Sequence, residues 1–223
     1  MAEIILNYIC IFLALMVVLP FHEFAHAYAA VKNGDITPKL YGRYTLNPFA
    51  HFDIYGLMCF VFAGFGWAKP VPVNPYNYRN FKKGCFWVSI SGVLMNLIIA
   101  FVALPLFILS KNLPTFGYFT FVLQNSLYYV YSLSVVFFVF NLLPLYPLDG
   151  FRVVEVITNG RGSIYYFLRR YGTYILLGLF GLSILSDITG IVYIDILGYV
   201  LRVLTDYVCY PLERFWLLIF YGV

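Results

Sequence analysis

The sequence predicts an all-α polytopic membrane protein of about five or six transmembrane helices, with a re-entrant or short-strand region after the first helix. Three observations carry this. Charged residues fill 11% of 223 positions, against roughly 25% in soluble domains, too few to cover a water-facing surface. Hydrophobic residues make up 62% and mean hydropathy is +0.84, so much of the surface must face lipid. The apolar residues fall in several runs that use almost the whole length, which excludes a monotopic protein resting on one amphipathic helix. One membrane-embedded domain over residues 1–223 is expected, with no soluble domain beside it.

The first apolar segment, about Ile4 to Val31, is long enough to span. Glu3 and the lack of a basic stretch before it argue against a cleaved signal peptide. Lys32 to Asp53 is polar, rich in turn residues and without helical period, which predicts loops and short strands. Ile54 to Trp67 is apolar but short; as a helix it would reach about 21 Å, against about 30 Å of hydrocarbon. A re-entrant segment or a thin, glycine-rich span fits that length. Ala68 to Gly84 is a proline-rich loop. Apolar runs follow at about Cys85 to Ser110 and Tyr118 to Leu143. The stretch "PLYPLDGFRVVEVITNGRGS" breaks with proline and then favours a short helix. The C-terminal runs, about Tyr171 to Leu185 and Ile191 to Phe220, follow a core of about residues 4–160; the second is expected to be interrupted near Pro211.

Lys32, Lys39, Arg43, Lys69, Arg79, Lys82 and Lys83 flank the short apolar segment, and Arg152, Arg161, Arg169 and Arg170 fall in a third loop. The positive-inside rule puts all three loops on the cytoplasmic side. The first two share a side only if residues 54–67 turn back. No basic face suggests nucleic acid. The four cysteines are scattered, with no C-x-x-C pair, and read as small apolar residues.

The chemistry concentrates in "VVLPFHEFAHAYAA". His22, Glu23 and His26 spell H-E-x-x-H. Positions i and i+4 of a helix lie about 40° apart around the axis and about 6 Å apart along it. Both imidazoles can therefore reach one point, as two ligands of a tetrahedral zinc do. Glu23 can lean over the open coordination position and take a proton from water there. Pro20 should kink or loosen the helix just before the motif. In a soluble helix the spacing arises by chance; in lipid, ionisable groups are costly and mark functional sites. The alternative is a buried hydrogen-bonding cluster.

A hydrolytic zinc needs a third protein ligand, and no third zincin histidine or nearby glutamate follows His26. The best distant candidate is Asp149, bracketed by Pro147 and Gly150 after an apolar run. Its alternative role is an N-cap on the helix that follows.

"HEFAH" in a first membrane helix, with "NLLPLYPLDG" far downstream, resembles the site-2 protease family of intramembrane zinc metalloproteases. The family pattern N-x-x-P-x-x-P-x-D-G matches Asn141, Pro144, Pro147, Asp149 and Gly150, and its metal aspartate falls on Asp149. "LNPFAHFDIYG" and "GWAKPVPVNPYNYRN" look like the compact prokaryotic branch and extend the match over about Pro20 to Val156. The resemblance implies the fold core and peptide-bond hydrolysis within the membrane. A family G-P-x-x-N stretch reads "SGVLMN" here, with Gly92 and Asn96 matching and Val93 in place of proline. Asn96 is a candidate for the substrate backbone or the oxyanion, or for an interhelical hydrogen bond; Asn141 is a second substrate or oxyanion candidate. "KPVPVNP" favours an extended backbone, beside which an unwound peptide could pair. His51 and Asp53 are candidates for positioning loops, gating access or binding metal transiently.

The expected function is an intramembrane zinc metalloendopeptidase of a prokaryotic cell membrane. It holds one zinc per chain on His22, His26 and Asp149, with Glu23 as general base. The active site is expected nearer the cytoplasmic side. Expected partners are the bilayer, a transmembrane protein substrate of regulatory kind, and regulatory membrane proteins. Two other classes compete: a metal-ion or proton transporter, against which no repeated halves are found, and an inactive relative that only binds membrane proteins, against which the intact Glu23 stands. Substrate, cut position and oligomeric state are not legible in the sequence.

Overall fold

The computed structural model describes residues 2–63 and 66–222. The first apolar run forms α1 (Ala2–Lys32), which continues through the buried Pro20. The polar stretch after it differs from expectation. Among the described residues there is no strand: Thr37–Leu40 makes one helical turn (α2), and Pro48–Ala50 a 3-10 turn. A single antiparallel bridge joins Phe52 to Ala68. Pro70 and Pro72 follow on one side of it; without N–H groups they cannot extend a ladder.

Between the two bridged residues lies α3 (Ile54–Ala63), 10 residues long and so about 15 Å. Gly64 and Phe65 of the short apolar segment lie outside the described residues. The chain enters and leaves this segment at one place: Phe52 pairs with Ala68, and a Cβ on Gly56 would lie 2.1 Å from the Trp67 carbonyl oxygen.

The third run begins at an Asn80 cap, whose side chain accepts the Lys83 N–H at 3.0 Å, and forms α4 (Phe81–Ser110). Then come α5 (Tyr118–Leu142), α6 (Asp149–Thr158), α7 (Ser163–Thr189) and α8 (Ile196–Tyr221). Helix α7 starts at Ser163, before the expected Tyr171, and α8 runs unbroken through Pro211. One proline costs a helix a single backbone bond, which a long helix tolerates when neighbours support it.

Among the described residues, four helices are long and apolar enough to cross a bilayer: α1, α4, α5 and α7. Helix α8 has 26 residues but carries Arg202, Asp206, Glu213 and Arg214. Helix α4 is the hub, packed against α1, α5 and α6. Lipid is as apolar as leucine, so helices associate here by close packing of small residues. Ala14, Ala25, Ala27 and Ala30 of α1 are buried, as are Ala100 and Ala103 of α4. The latter two join Leu104, Tyr131 and Val135 in one core cluster. Large apolar side chains such as Phe12, Trp87 and Leu106 face outward, a surface suited to acyl chains.

Candidate metal centre

Helix α1 brings His22, Glu23 and His26 to the interior, where all three are buried, and α6 brings Asp149 to meet them. Asp149 is the first residue of α6; the cap position belongs to Leu148, which offers no side-chain cap bond. The carboxylate turns instead to the histidines. Gly150 permits this, because a Cβ there would lie 2.4 Å from the carbonyl oxygens of Leu142 and Leu143 at the end of α5.

His22 Nε2 and His26 Nε2 lie 3.1 Å apart, and Asp149 Oδ2 lies 3.4 Å from the first and 3.0 Å from the second. Ligand atoms at the usual zinc distances sit about 3.3–3.4 Å apart around a tetrahedron. The observed triangle is one face of such a figure. The donor set also suits a cation. His26 Nδ1 lies 2.6 Å from the Val88 carbonyl, so that nitrogen carries the proton and Nε2 turns a lone pair towards Asp149. Asp149 Oδ2 is itself buried and accepts no hydrogen bond. A carboxylate oxygen that faces two ring nitrogens is stabilised by positive charge between them, which a proton on a ring or a bound metal ion supplies. The residues present therefore fit zinc, and among the described residues they are the one such group.

Helix α4 supplies the wall beside the imidazoles. A Cβ on Gly92 would lie 2.3 Å from His26 Nε2 and 2.7 Å from His22 Cε1, so only glycine fits. Asn96 is fully buried, with its amide nitrogen 3.1 Å from His22 Nδ1. The other expected residues fall elsewhere. Asn141 donates to the Phe137 carbonyl of its own helix at 3.1 Å. His51 is fully buried, with Nε2 2.8 Å from the Thr45 carbonyl. Asp53 accepts the Gly56 N–H at 2.9 Å and so caps α3. Neither His51 nor Asp53 joins the metal-ligating group.

Glu23 Oε2 accepts the backbone N–H of Val71 at 3.0 Å. The extended segment 68–74 is fastened at three points to place that donor. The Lys69 N–H donates to the His51 carbonyl at 2.7 Å, and the buried Arg43 guanidinium donates to the carbonyls of Ala50 and Lys69. Asp35 accepts the Asn74 N–H at 2.7 Å, the Asn77 amide at 2.9 Å and the Thr37 hydroxyl. Burial alone would raise the Asp35 pKa, but these donors together hold it below the usual carboxylate value. A cavity of about 640 Å³ opens between this loop, the start of α4 and α6, and Val88 is the residue it shares with the surroundings of the centre. Lys82, Val88, Arg152 and Glu155 are among its walls.

Sequence reasoning missed the Val71 N–H, the Val88 carbonyl and the Asp35 fastening. The first two are main-chain groups that no residue type announces. A glycine inside an apolar helix was the available signal for the close wall at Gly92.

No family model and no solved structure matches the chain. Over 145 residues it is 42% identical to a protein of Bacillus subtilis (strain 168) named "Putative zinc metalloprotease YwhC". The match takes in 64% of this chain and 66% of that protein, a little under two thirds of the relative's length.

Proposed function

We propose that the chain is an intramembrane zinc endopeptidase of the site-2 protease kind, from its compact prokaryotic branch. The observation that carries this is the buried triangle of His22, His26 and Asp149 with Glu23 beside it. The name of the relative, a zinc metalloprotease, supports the same reading. One zinc per chain would be held by His22 Nε2, His26 Nε2 and Asp149 Oδ2. When bound it supplies a Lewis acid that polarises the scissile carbonyl and acidifies water. Glu23 takes the proton as water oxygen bonds the carbonyl carbon. It returns the proton to the amide nitrogen as the C–N bond breaks, so the products are a carboxylate and an amine. The Val71 N–H holds one carboxylate oxygen of Glu23 and leaves the other for this work.

The substrate is a transmembrane segment of another membrane protein, of regulatory kind, unwound at the cut because a helix hides its peptide bonds. Helix α3 belongs to a re-entrant element, a reading supported by the pairing of Phe52 with Ala68 on either side of it. Helix α8 makes a fifth span, with Tyr131 of α5 donating to Glu213 at 3.1 Å. The positively charged loops support a cytoplasmic side for the cavity, whose walls include Lys82 and Arg152.

The test is Glu23→Gln in the purified chain, with metal content and cleavage of a tethered transmembrane substrate measured together. Zinc should stay bound while cleavage falls by at least about a hundredfold. Retained cleavage would sink the mechanism, and a wild-type chain that binds no zinc would sink the whole reading.

A further inference from the structure

Helix α4 also offers each ligand histidine a polar partner at Nδ1, the ring nitrogen that does not face Asp149. For His26 the partner is the Val88 carbonyl, 2.6 Å from Nδ1. For His22 it is the Asn96 carboxamide, 3.1 Å from Nδ1. Asn96 is fully buried, and its amide oxygen has no hydrogen-bond partner.

A ligand role fixes the protons. His22 Nε2 points to His26 and Asp149, so the ring proton must sit on Nδ1. Nδ1–H then needs an acceptor, and an amide nitrogen cannot serve as one. Half a turn of the carboxamide about its last bond presents the oxygen to Nδ1 and turns the NH2 away from the ring. The oxygen then takes the ring contact and the NH2 takes the place where the oxygen had no partner. Both histidines end in the same arrangement, each donating Nδ1–H to an oxygen of α4.

We propose that Asn96 is a positioning residue whose carboxamide oxygen accepts Nδ1–H of His22, fixing the tautomer and ring plane in which His22 holds zinc. This rests on the zinc site proposed above. Of the two roles expected from sequence, it takes the interhelical hydrogen bond over the donor to substrate or oxyanion. A donor to the oxyanion must reach the reacting carbonyl, whereas Asn96 engages the ring from the nitrogen opposite the ligand set. Outer partners of metal-bound histidines typically change metal affinity by 10- to 100-fold.

Two substitutions separate the roles. Asn96→Ala removes the acceptor and the donor alike. Asn96→Asp keeps an acceptor at the same reach and removes the amide donor. Zinc affinity is read for the full chain in detergent by competition with a chromogenic chelator, and cleavage of the tethered substrate is read at saturating zinc. Asn96→Ala should bind zinc about 10- to 100-fold more weakly. Asn96→Asp should restore affinity to within a few-fold of the wild type and recover most of the cleavage. Wild-type affinity in Asn96→Ala overturns the proposal. So does an Asn96→Asp chain that binds zinc normally yet cleaves a hundredfold more slowly, the signature of a lost oxyanion donor. If Asn96→Ala does not fold, Asn96→Asp alone still decides, because the two roles predict opposite results for it. Loss of zinc binding in the wild type would fell the metalloprotease reading itself, while a zinc-binding wild type with an indifferent Asn96 fells only this inference.

Discussion

Helices α4 and α7 both carry glycines within spanning segments, and the two sets stand in different surroundings. A Cβ on Gly92 of α4 would lie 2.3 Å from a ligand nitrogen, while one on Gly178 or Gly181 of α7 would meet nothing within 4 Å. Helix α4 is packed against α1, α5 and α6. Helix α7 is tightly committed near its start, where a Cβ on Gly172 would lie 2.6 Å from the Tyr146 nitrogen. Its partner α8 is joined to the bundle by separate polar ties, Tyr131 to Glu213 and the Trp216 indole to the Phe101 carbonyl at 3.0 Å. The contrast separates two uses of small residues. In α4 they bring backbone against reactive groups, and the position of the imidazoles depends on that contact. In the second half of α7 they leave an open surface.

The largest effect should follow from Gly92→Ala. Interior overpacking normally costs about 1–3 kcal/mol because neighbours can shift. Here the neighbours are the ligand rings, and shifting them spoils the triangle of nitrogen and oxygen atoms. Zinc affinity should fall by at least about a hundredfold, as strongly as loss of an outer partner at its upper range, while helix content by circular dichroism stays near the wild type. A Gly92→Ala chain that binds zinc normally would break the comparison, since α4 would then have slack at the position where it shows least.

Val71→Pro tests whether the loop belongs with α4 as a backbone support. The substitution removes the N–H that Glu23 accepts. Residue 71 already precedes a proline and so is confined to extended backbone that proline also adopts. A hydrogen bond to a charged group contributes about 1.5–3 kcal/mol. Cleavage should slow by roughly 10- to 100-fold, with zinc affinity unchanged, because Glu23 is not a ligand. A fall in zinc affinity instead would mean that the loop braces the ligands as well as the base.

Spacing made the histidine pair legible, while Asp149 read alone as a helix cap and as a ligand only beside that pair. His22 and His26 fall on one helical face, and Asp149 sits between Pro147 and Gly150, where a helix must start sharply. What the sequence hid was main-chain chemistry. Val71 and Val88 carry apolar side chains that announce burial, yet their N–H and carbonyl groups hold Glu23 and His26. Asn96 was visible as a polar residue in lipid, but its partner lies 74 positions away on another helix, and no local pattern encodes that pairing. The short strands expected before Asp53 failed for a local reason, since Pro70 and Pro72 stop pairing just beyond the one bridge.

The smallest effect, and the one that tests the open half of the comparison, should come from Gly178→Ala and Gly181→Ala. Both glycines are exposed and a methyl group meets no atom of the chain. Alanine removes the conformational freedom that glycine loses on folding, a gain of about 0.4–1 kcal/mol where the backbone is already helical. Each variant should melt slightly higher in detergent, with zinc binding and cleavage unchanged. A lower melting temperature would show that the methyl group collides with something outside this chain. Lost cleavage at an unchanged melting temperature would place that collision on the substrate's path. Either result would move Gly178 and Gly181 into the class of Gly92, where the missing side chain makes room for an approach.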